Sequence, residues 1–235
     1  MQVRALLQNR ALIAWSLTVA AVLGVFGYLA KEVLVTKGET MKFDQAVRTA
    51  IHPGASPLLT TVMQTISELG EWYFVIPLWL IAVGLLVAKR HRHAAVVVSI
   101  MAIGEEALAR VLKIWVNRPR PQPPLFPLPD PCSFPSGHSM AAFCIYGVLA
   151  AILAPRLHLP TAKIVAWTLA ALLTTLVGLS RVYLGYHYPT DVLGGYAAAM
   201  IWIVAVRLGY NIWTAARNTK LNACPTASSR PNRPT

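Results

Sequence analysis

Six stretches of the chain are long and apolar enough to cross a membrane as helices: roughly 11–30, 72–88, 94–112, 138–154, 164–180 and 192–206. A helix needs about 20 residues to span the hydrocarbon core, within a usable range of about 17–25. The first and third meet this easily. The others sit near the lower limit, and the last draws on flanking residues. None alternates like a strand, and a closed barrel would need many alternating segments. The sequence therefore predicts an all-α polytopic membrane protein, a six-transmembrane-helix bundle over residues 1–218. A Pro/Ser/Asn-rich tail, 219–235, is expected to be disordered and cytoplasmic.

Composition supports this reading. Hydrophobic residues make up 56% of the 235 and charged residues 13%, where a soluble domain carries about 25% charged residues. That argues against a soluble single-core enzyme, and the apolar content excludes disorder for most of the chain. Three cysteines are too few, and odd in number, for a disulfide scaffold. The apolar run at 11–30 is longer than the about 7–15 residues of a signal core, so it is expected to stay as an anchor.

The net charge of +12 has two readings, nucleic-acid binding or membrane topology. Position decides between them. With the N-terminus inside, the cytoplasmic segments hold Arg4, Arg10, Lys89, Arg90, Arg92, Arg156, Lys163, Arg207, Arg217, Lys220, Arg230 and Arg233, and no acid. These are twelve of the 21 basic residues. The excess is positive-inside bias, and no nucleic-acid partner is expected. Between the first two spans, Phe43, Val47 and Ile51 form one helical stripe, and Leu58, Leu59, Val62, Met63, Ile66 and Leu69 form a second. Pro53, Gly54 and Pro57 separate them, so two short amphipathic helices are expected at the outer interface. The Pro-rich segment 117–135 is expected to be non-helical.

In so apolar a chain, clustered charge is informative. Three clusters fall at span ends and, on this topology, on the same outer side. The first is Lys113-Ile-Trp-Val-Asn-Arg118-Pro119-Arg120-Pro121. The second is Pro135-Ser136-Gly137-His138. The third runs from Ser180-Arg181 through His187 to Asp191. Lys113, Arg120 and Arg181 offer a point charge and two planar forks to an oxyanion. Ser136 and Gly137 open a helix, where free N–H groups and the positive dipole end favour an anion. Pro189 suits a first helical position, so Asp191 in the first turn is expected to reach back to one nitrogen of His187. That leaves the other nitrogen as a nucleophile. His138 is then available as general acid. Any one cluster alone carries little weight; all three in order, with these spacings, carry much more.

Together they resemble the three-part signature of the type 2 phosphatidic acid phosphatase superfamily, K-x6-R-P, P-S-G-H and S-R-x5-H-x3-D. It is met by Lys113, Arg120 and Pro121, by Pro135 to His138, and by Ser180, Arg181, His187 and Asp191. Arg118-Pro119 is a second Arg-Pro, but it leaves only four residues after Lys113, so Arg120 takes the signature position. The resemblance implies a lipid phosphatase that needs no metal and no cofactor. In it His187 becomes a transient phosphohistidine, Asp191 orients it, and His138 protonates the leaving group and then activates water. Lys113, Arg120, Ser136, Gly137 and Arg181 would hold the phosphoryl oxygens. The implied partner is a membrane lipid phosphate: phosphatidylglycerol phosphate, phosphatidic acid, undecaprenyl diphosphate or a lipid A phosphate. Soluble haloperoxidases and acid phosphatases share the signature, but six spans argue against both. The implied location is a bacterial inner membrane with the site facing the periplasm. A lipid-to-lipid phosphotransferase would use the same residues.

Span three also contains Glu105, Glu106 and Arg110. Glu106 and Arg110 stand at i, i+4, so an intrahelical ion pair is expected.

Overall fold

The structure, a computed structural model, describes residues 2–36, 38–51, 56–121 and 130–223. These form eight α-helices: α1 Gln2–Lys31, α2 Glu39–Ile51, α3 Pro57–Glu68, α4 Trp72–Ala88, α5 Arg92–Val116, α6 Gly137–Leu153, α7 Pro160–Tyr183 and α8 Pro189–Ala223. A π-helical turn, Glu32–Thr36, extends α1, and a 3-10 turn, Ala154–Arg156, follows α6. No strand occurs among the described residues. Residues 122–129 of the Pro-rich segment lie outside them. The described flanks, 117–121 and 130–136, are non-helical as expected. The tail was expected to begin at 219, but α8 continues to Ala223, and 224–235 lie outside the described residues.

Helix α6 is the centre of the bundle, packing against α4, α5, α7 and α8. Its small residues allow this. Ala142, Cys144, Val148 and Ala150 are buried along with Met140 and Ile145, and buried positions fall all around the helix. By contrast α4 buries one stripe, Val75, Trp79, Ala82 and Leu86, at the i, i+4, i+7 spacing of a single helical face. Helices α5 and α8 approach very closely. A Cβ on Gly104 would collide with the Trp202 ring, so a side chain there would force the indole aside. The indole in turn donates to the carbonyl of Met101 at 3.1 Å.

The outer surface is apolar. Leu80, Ile103, Ile114 and Val165 are all exposed, Ile114 at 80%. Such a surface needs a non-aqueous surrounding. Five helical stretches among the described residues are long and apolar enough to cross a membrane: Leu17–Val35, Pro57–Ala88, Gly137–Arg156, Pro160–Tyr183 and Pro189–Arg217. Helix α5, expected as the third span, is not among them; its 25 residues include Arg92, Glu105, Glu106, Arg110 and Lys113. Arg110 does pair with Glu106, Nε to Oε1 at 2.6 Å, on the exposed face. Glu105 is buried.

The two short helices expected between the first spans form as α2 and α3. Their burial is inverted. The buried residues are polar, Thr40 and Asp44 on α2 and Ser67 on α3, whereas Phe43, Leu58 and Val62 are exposed. Each helix buries a polar residue against the protein, while its outward face mixes apolar residues with exposed polar ones such as Glu39, Lys42, Thr61 and Glu68.

Candidate active site

Local chain chemistry places all three clusters at one end of the bundle. Arg118 precedes a proline and so disfavours helix. Asn117 adopts the left-handed conformation (φ 45°) and caps α5, its N–H donating to Lys113 O at 2.9 Å. The chain leaves the helix there, and Lys113, Arg118 and Arg120 project into one region. Ser136 caps α6, accepting from the Ser139 N–H. Pro189 starts α8. The Ser136 N–H donates to Asp191 O at 3.0 Å, which joins the starts of α6 and α8. Gly195 permits this, because a Cβ there would lie 2.8 Å from the Ser136 carbonyl oxygen.

His187 is almost wholly buried between α7 and α8. Its Nε2 lies 3.3 Å from Arg120 Nη1, on the cationic side of the site. Its Nδ1 lies 3.6 Å from Asp191 Oδ2, opposed but beyond hydrogen-bond length. The sequence expectation that Asp191 bonds the imidazole is therefore met in orientation and not in contact. Asp191 Oδ2 accepts instead from the Tyr188 N–H at 2.8 Å. Burial, with Arg181 and Arg120 nearby, pushes the His187 pKa down to about 3 against the pull of Asp191. That favours the neutral ring, the form in which an imidazole nitrogen has a free lone pair.

Arg120 donates to the carbonyls of Asp130 at 2.6 Å and Tyr186 at 2.8 Å. Lys113 Nζ meets Asp130 Oδ2 at 2.5 Å. Burial, the largest single influence, favours the neutral form of Asp130, but Lys113, the Cys132 N–H and Arg120 together outweigh it and hold the carboxyl below its usual range. On the opposite side, Arg181 donates to Ser67 Oγ at 2.8 Å and stacks 4.3 Å from the Tyr186 ring. Its buried Nε has no hydrogen-bond partner among the described residues. His138 Nε2 lies 2.7 Å from Glu71 Oε1, and Arg181 Nη1 lies 3.7 Å from the same oxygen. Ser136 is fully buried; its N–H is committed to Asp191 and its hydroxyl accepts from Ser139 Oγ at 3.0 Å. Gly137 has open space around its Cα.

The structure thus gathers Lys113, Arg120, Ser136, Gly137, His138, Arg181, His187 and Asp191 at one end of the bundle. It adds residues that sequence reasoning passed over: Asp44, Glu71, Arg118, Asp130 and Thr190. Arg118, set aside as the spare Arg-Pro, is buried; its Nη1 donates to Asp191 Oδ1 at 2.5 Å and its Nη2 to Asp44 Oδ2 at 2.7 Å. Burial alone would weaken its hold on a proton, but Asp191 and Asp44 more than offset that and raise its pKa.

The pattern of the PAP2 superfamily matches residues 92–214, which include every one of the signature positions. The chain belongs to that superfamily. As a PAP2 protein it is a phosphatase, a hydrolase, and an integral membrane protein. It is 35% identical over 165 residues to phosphatidylglycerophosphatase B of Bacillus subtilis, covering 70% of this chain and 81% of that protein. It is 31% identical over 144 residues to the undecaprenyl-diphosphatase of Sulfolobus acidocaldarius, covering 59% of this chain and 64% of that protein. Among solved structures it is similar to the transmembrane PAP2-type phosphatidylglycerolphosphate phosphatase of Bacillus subtilis. The TM-score is 0.72 at 32% identity, over 82% of this chain and 95% of that one.

Proposed function

We propose that this PAP2 phosphatase removes phosphate from a membrane lipid monophosphate or diphosphate, without a metal, through a phosphohistidine. The observation that carries the reading is the placement of His187. Its Nε2 faces the cationic groups and its Nδ1 faces Asp191. Lys113, Arg120 and Arg181, with the start of α6 at Gly137, hold the phosphoryl oxygens, while the buried Ser136 caps that start and ties it to Asp191. Charge stabilisation on those oxygens is the main lever in phosphoryl transfer. Nε2 attacks phosphorus, the P–O bond to the lipid breaks, and His138 gives its proton to the leaving oxygen. In the second step His138 takes a proton from water, whose oxygen attacks phosphorus. The P–N bond breaks and inorganic phosphate leaves.

The lipid class follows from the setting. Helices α2 and α3 expose Phe43, Leu58 and Val62 beside polar residues and bury Asp44 and Ser67 towards the site, a mixed outer face that suits the membrane interface. A substrate tail stays in the bilayer while its head reaches His187. We read α5 as the sixth span, its charges paired, buried or at its ends. The excess of basic residues in the loops on one side supports cytoplasmic termini and an outward-facing site, and the family resemblance supports a bacterial inner membrane. Phosphatidylglycerol phosphate, phosphatidic acid and undecaprenyl diphosphate are the first candidates. A lipid A phosphatase or a lipid-to-lipid phosphotransferase is the alternative.

The test is phosphate release from those lipids by detergent-purified protein in EDTA. Release from one or more is expected, and it ranks the head groups. Activity that disappears with EDTA and returns with a divalent metal would overturn the metal-free mechanism. Silence across the panel would favour the alternative.

A further inference from the structure

Three charged side chains lie buried in a row behind the reacting histidine. Asp44 on α2 is fully buried, as is Asp191, and Arg118 between them is 7% exposed. The guanidinium gives one nitrogen to each carboxylate, 2.5 Å to Asp191 and 2.7 Å to Asp44, and Nη1 also reaches Thr190 Oγ1 at 2.8 Å. Asp44 has no further donors to seek, since the Thr190 N–H meets Oδ1 at 2.9 Å and the Thr190 hydroxyl meets Oδ2 at 2.7 Å. The Tyr188 ring covers Arg118 at 4.1 Å.

The charge balance of this row matters for His187. A phosphorylated imidazole carries positive charge, which Asp191 must support. Arg118 alone beside Asp191 would hold the carboxylate in place and also cancel it, because opposite charges in direct contact in a buried site are strongly coupled. The second carboxylate leaves the row with one net negative charge, on the side facing His187. Lysine could not substitute for Arg118, because a single ammonium lacks the rigid fork that spans two carboxylates.

We propose that Asp44 and Arg118 are positioning residues for phosphoryl transfer: Arg118 aims Asp191 at His187, and Asp44 preserves the net charge that Asp191 presents. The inference rests on the phosphatase reading above. It gives the spare Arg-Pro a role that the signature does not name, and it makes α2 part of the machinery as well as part of the membrane interface.

The experiment compares wild type, Asp44→Asn, Arg118→Lys and the double variant. The substrate is the panel lipid that turns over fastest, in a water-soluble short-chain form and in a long-chain form in mixed micelles. Asp44→Asn is near-isosteric, and we expect kcat to fall about tenfold on both forms with KM and the inhibition constant of inorganic phosphate unchanged. Arg118→Lys, the second variant should Asp44→Asn not fold, is expected to lose at least as much. The double variant should be no worse than Arg118→Lys alone, as for groups acting in one chain. Losses confined to the long-chain form would make α2 only a lipid-entry element and overturn the proposal. So would full kcat in Asp44→Asn, a loss carried by KM, or strictly additive losses. Silence of the wild type on the whole panel would overturn the substrate reading above in favour of its alternative, and this inference with it.

Discussion

Glu71 Oε1 lies 2.7 Å from His138 Nε2, so the second histidine of the site, like the first, has a carboxylate at its back. Glu71 stands at the start of α4 without capping it, which leaves its side chain free to face the site. The turn that carries it is pinned to the central helix by the Tyr146 hydroxyl, which donates to Leu69 O at 2.8 Å. Gly70 lets that turn close on His138, since a Cβ there would lie 3.2 Å from the ring.

Glu71→Gln keeps the shape and removes the charge. The carboxylate faces His138 Nε2, and it also sits 3.7 Å from Arg181 Nη1, where it competes with phosphate. Steady-state kinetics should show kcat falling about tenfold, with tighter inhibition by inorganic phosphate. An unchanged kcat would mean that His138 needs no carboxylate.

His187→Ala should lower kcat by at least about 10³-fold while leaving lipid binding in place, because a nucleophile has no substitute in the site. Rapid quenching in alkali, where phosphohistidine survives, should trap label from a radiolabelled substrate on wild type and none on the variant. Label retained on His187→Ala would place the nucleophile elsewhere.

Buried and neutral, His187 also ties stability to pH. Its folded pKa is about 3, against about 6.5 in an unfolded chain. Between those values the unfolded state binds the extra proton and the folded state does not. This contribution to stability is therefore whole above about pH 6.5 and declines as the pH falls towards about 3. Melting temperatures in detergent from pH 7 to pH 4 should fall for wild type and fall less steeply for His187→Asn. Parallel curves would show that the imidazole is not held neutral by burial.

Gly195→Ala should damage the site from a distance. The added Cβ would meet the Ser136 carbonyl at 2.8 Å and Ser139 Cβ at 3.1 Å, so the starts of α6 and α8 must separate. The cost is expected at about 1–3 kcal/mol, as for overpacking in a tight interior, with kcat reduced alongside. Gly147→Ala is the control, as nothing lies within 4 Å of its added methyl. Equal melting temperatures for the two variants would refute the argument.

The helices could be read in the sequence because apolar runs fix them locally, and the three signature clusters because their spacings are short. What stayed hidden came from pairing across long separations. Asp44, Glu71 and Asp130 lie in connecting segments with no motif around them, and only the fold brings them to Thr190, His138 and Lys113. One signal was available. The chain has only nine acidic residues, and an acid next to predicted spans has to be paired or functional. Asp191 stands 3.6 Å from His187 for a related reason. Its first-turn position fixed its direction, but Arg118 and the Tyr188 amide compete for its oxygens. The charged residues of α5 resolve into one exposed pair and one buried acid, a division that helical spacing alone does not reveal.

The bond from the Ser136 amide to the Asp191 carbonyl sets the beginnings of two long helices side by side. The α8 start is already met by acids, since Asp44 accepts from the Thr190 N–H and Asp191 from the Tyr188 N–H. The α6 start has open space at Gly137. An incoming anion would therefore meet one free helix start and one whose dipole the protein's own carboxylates have already answered.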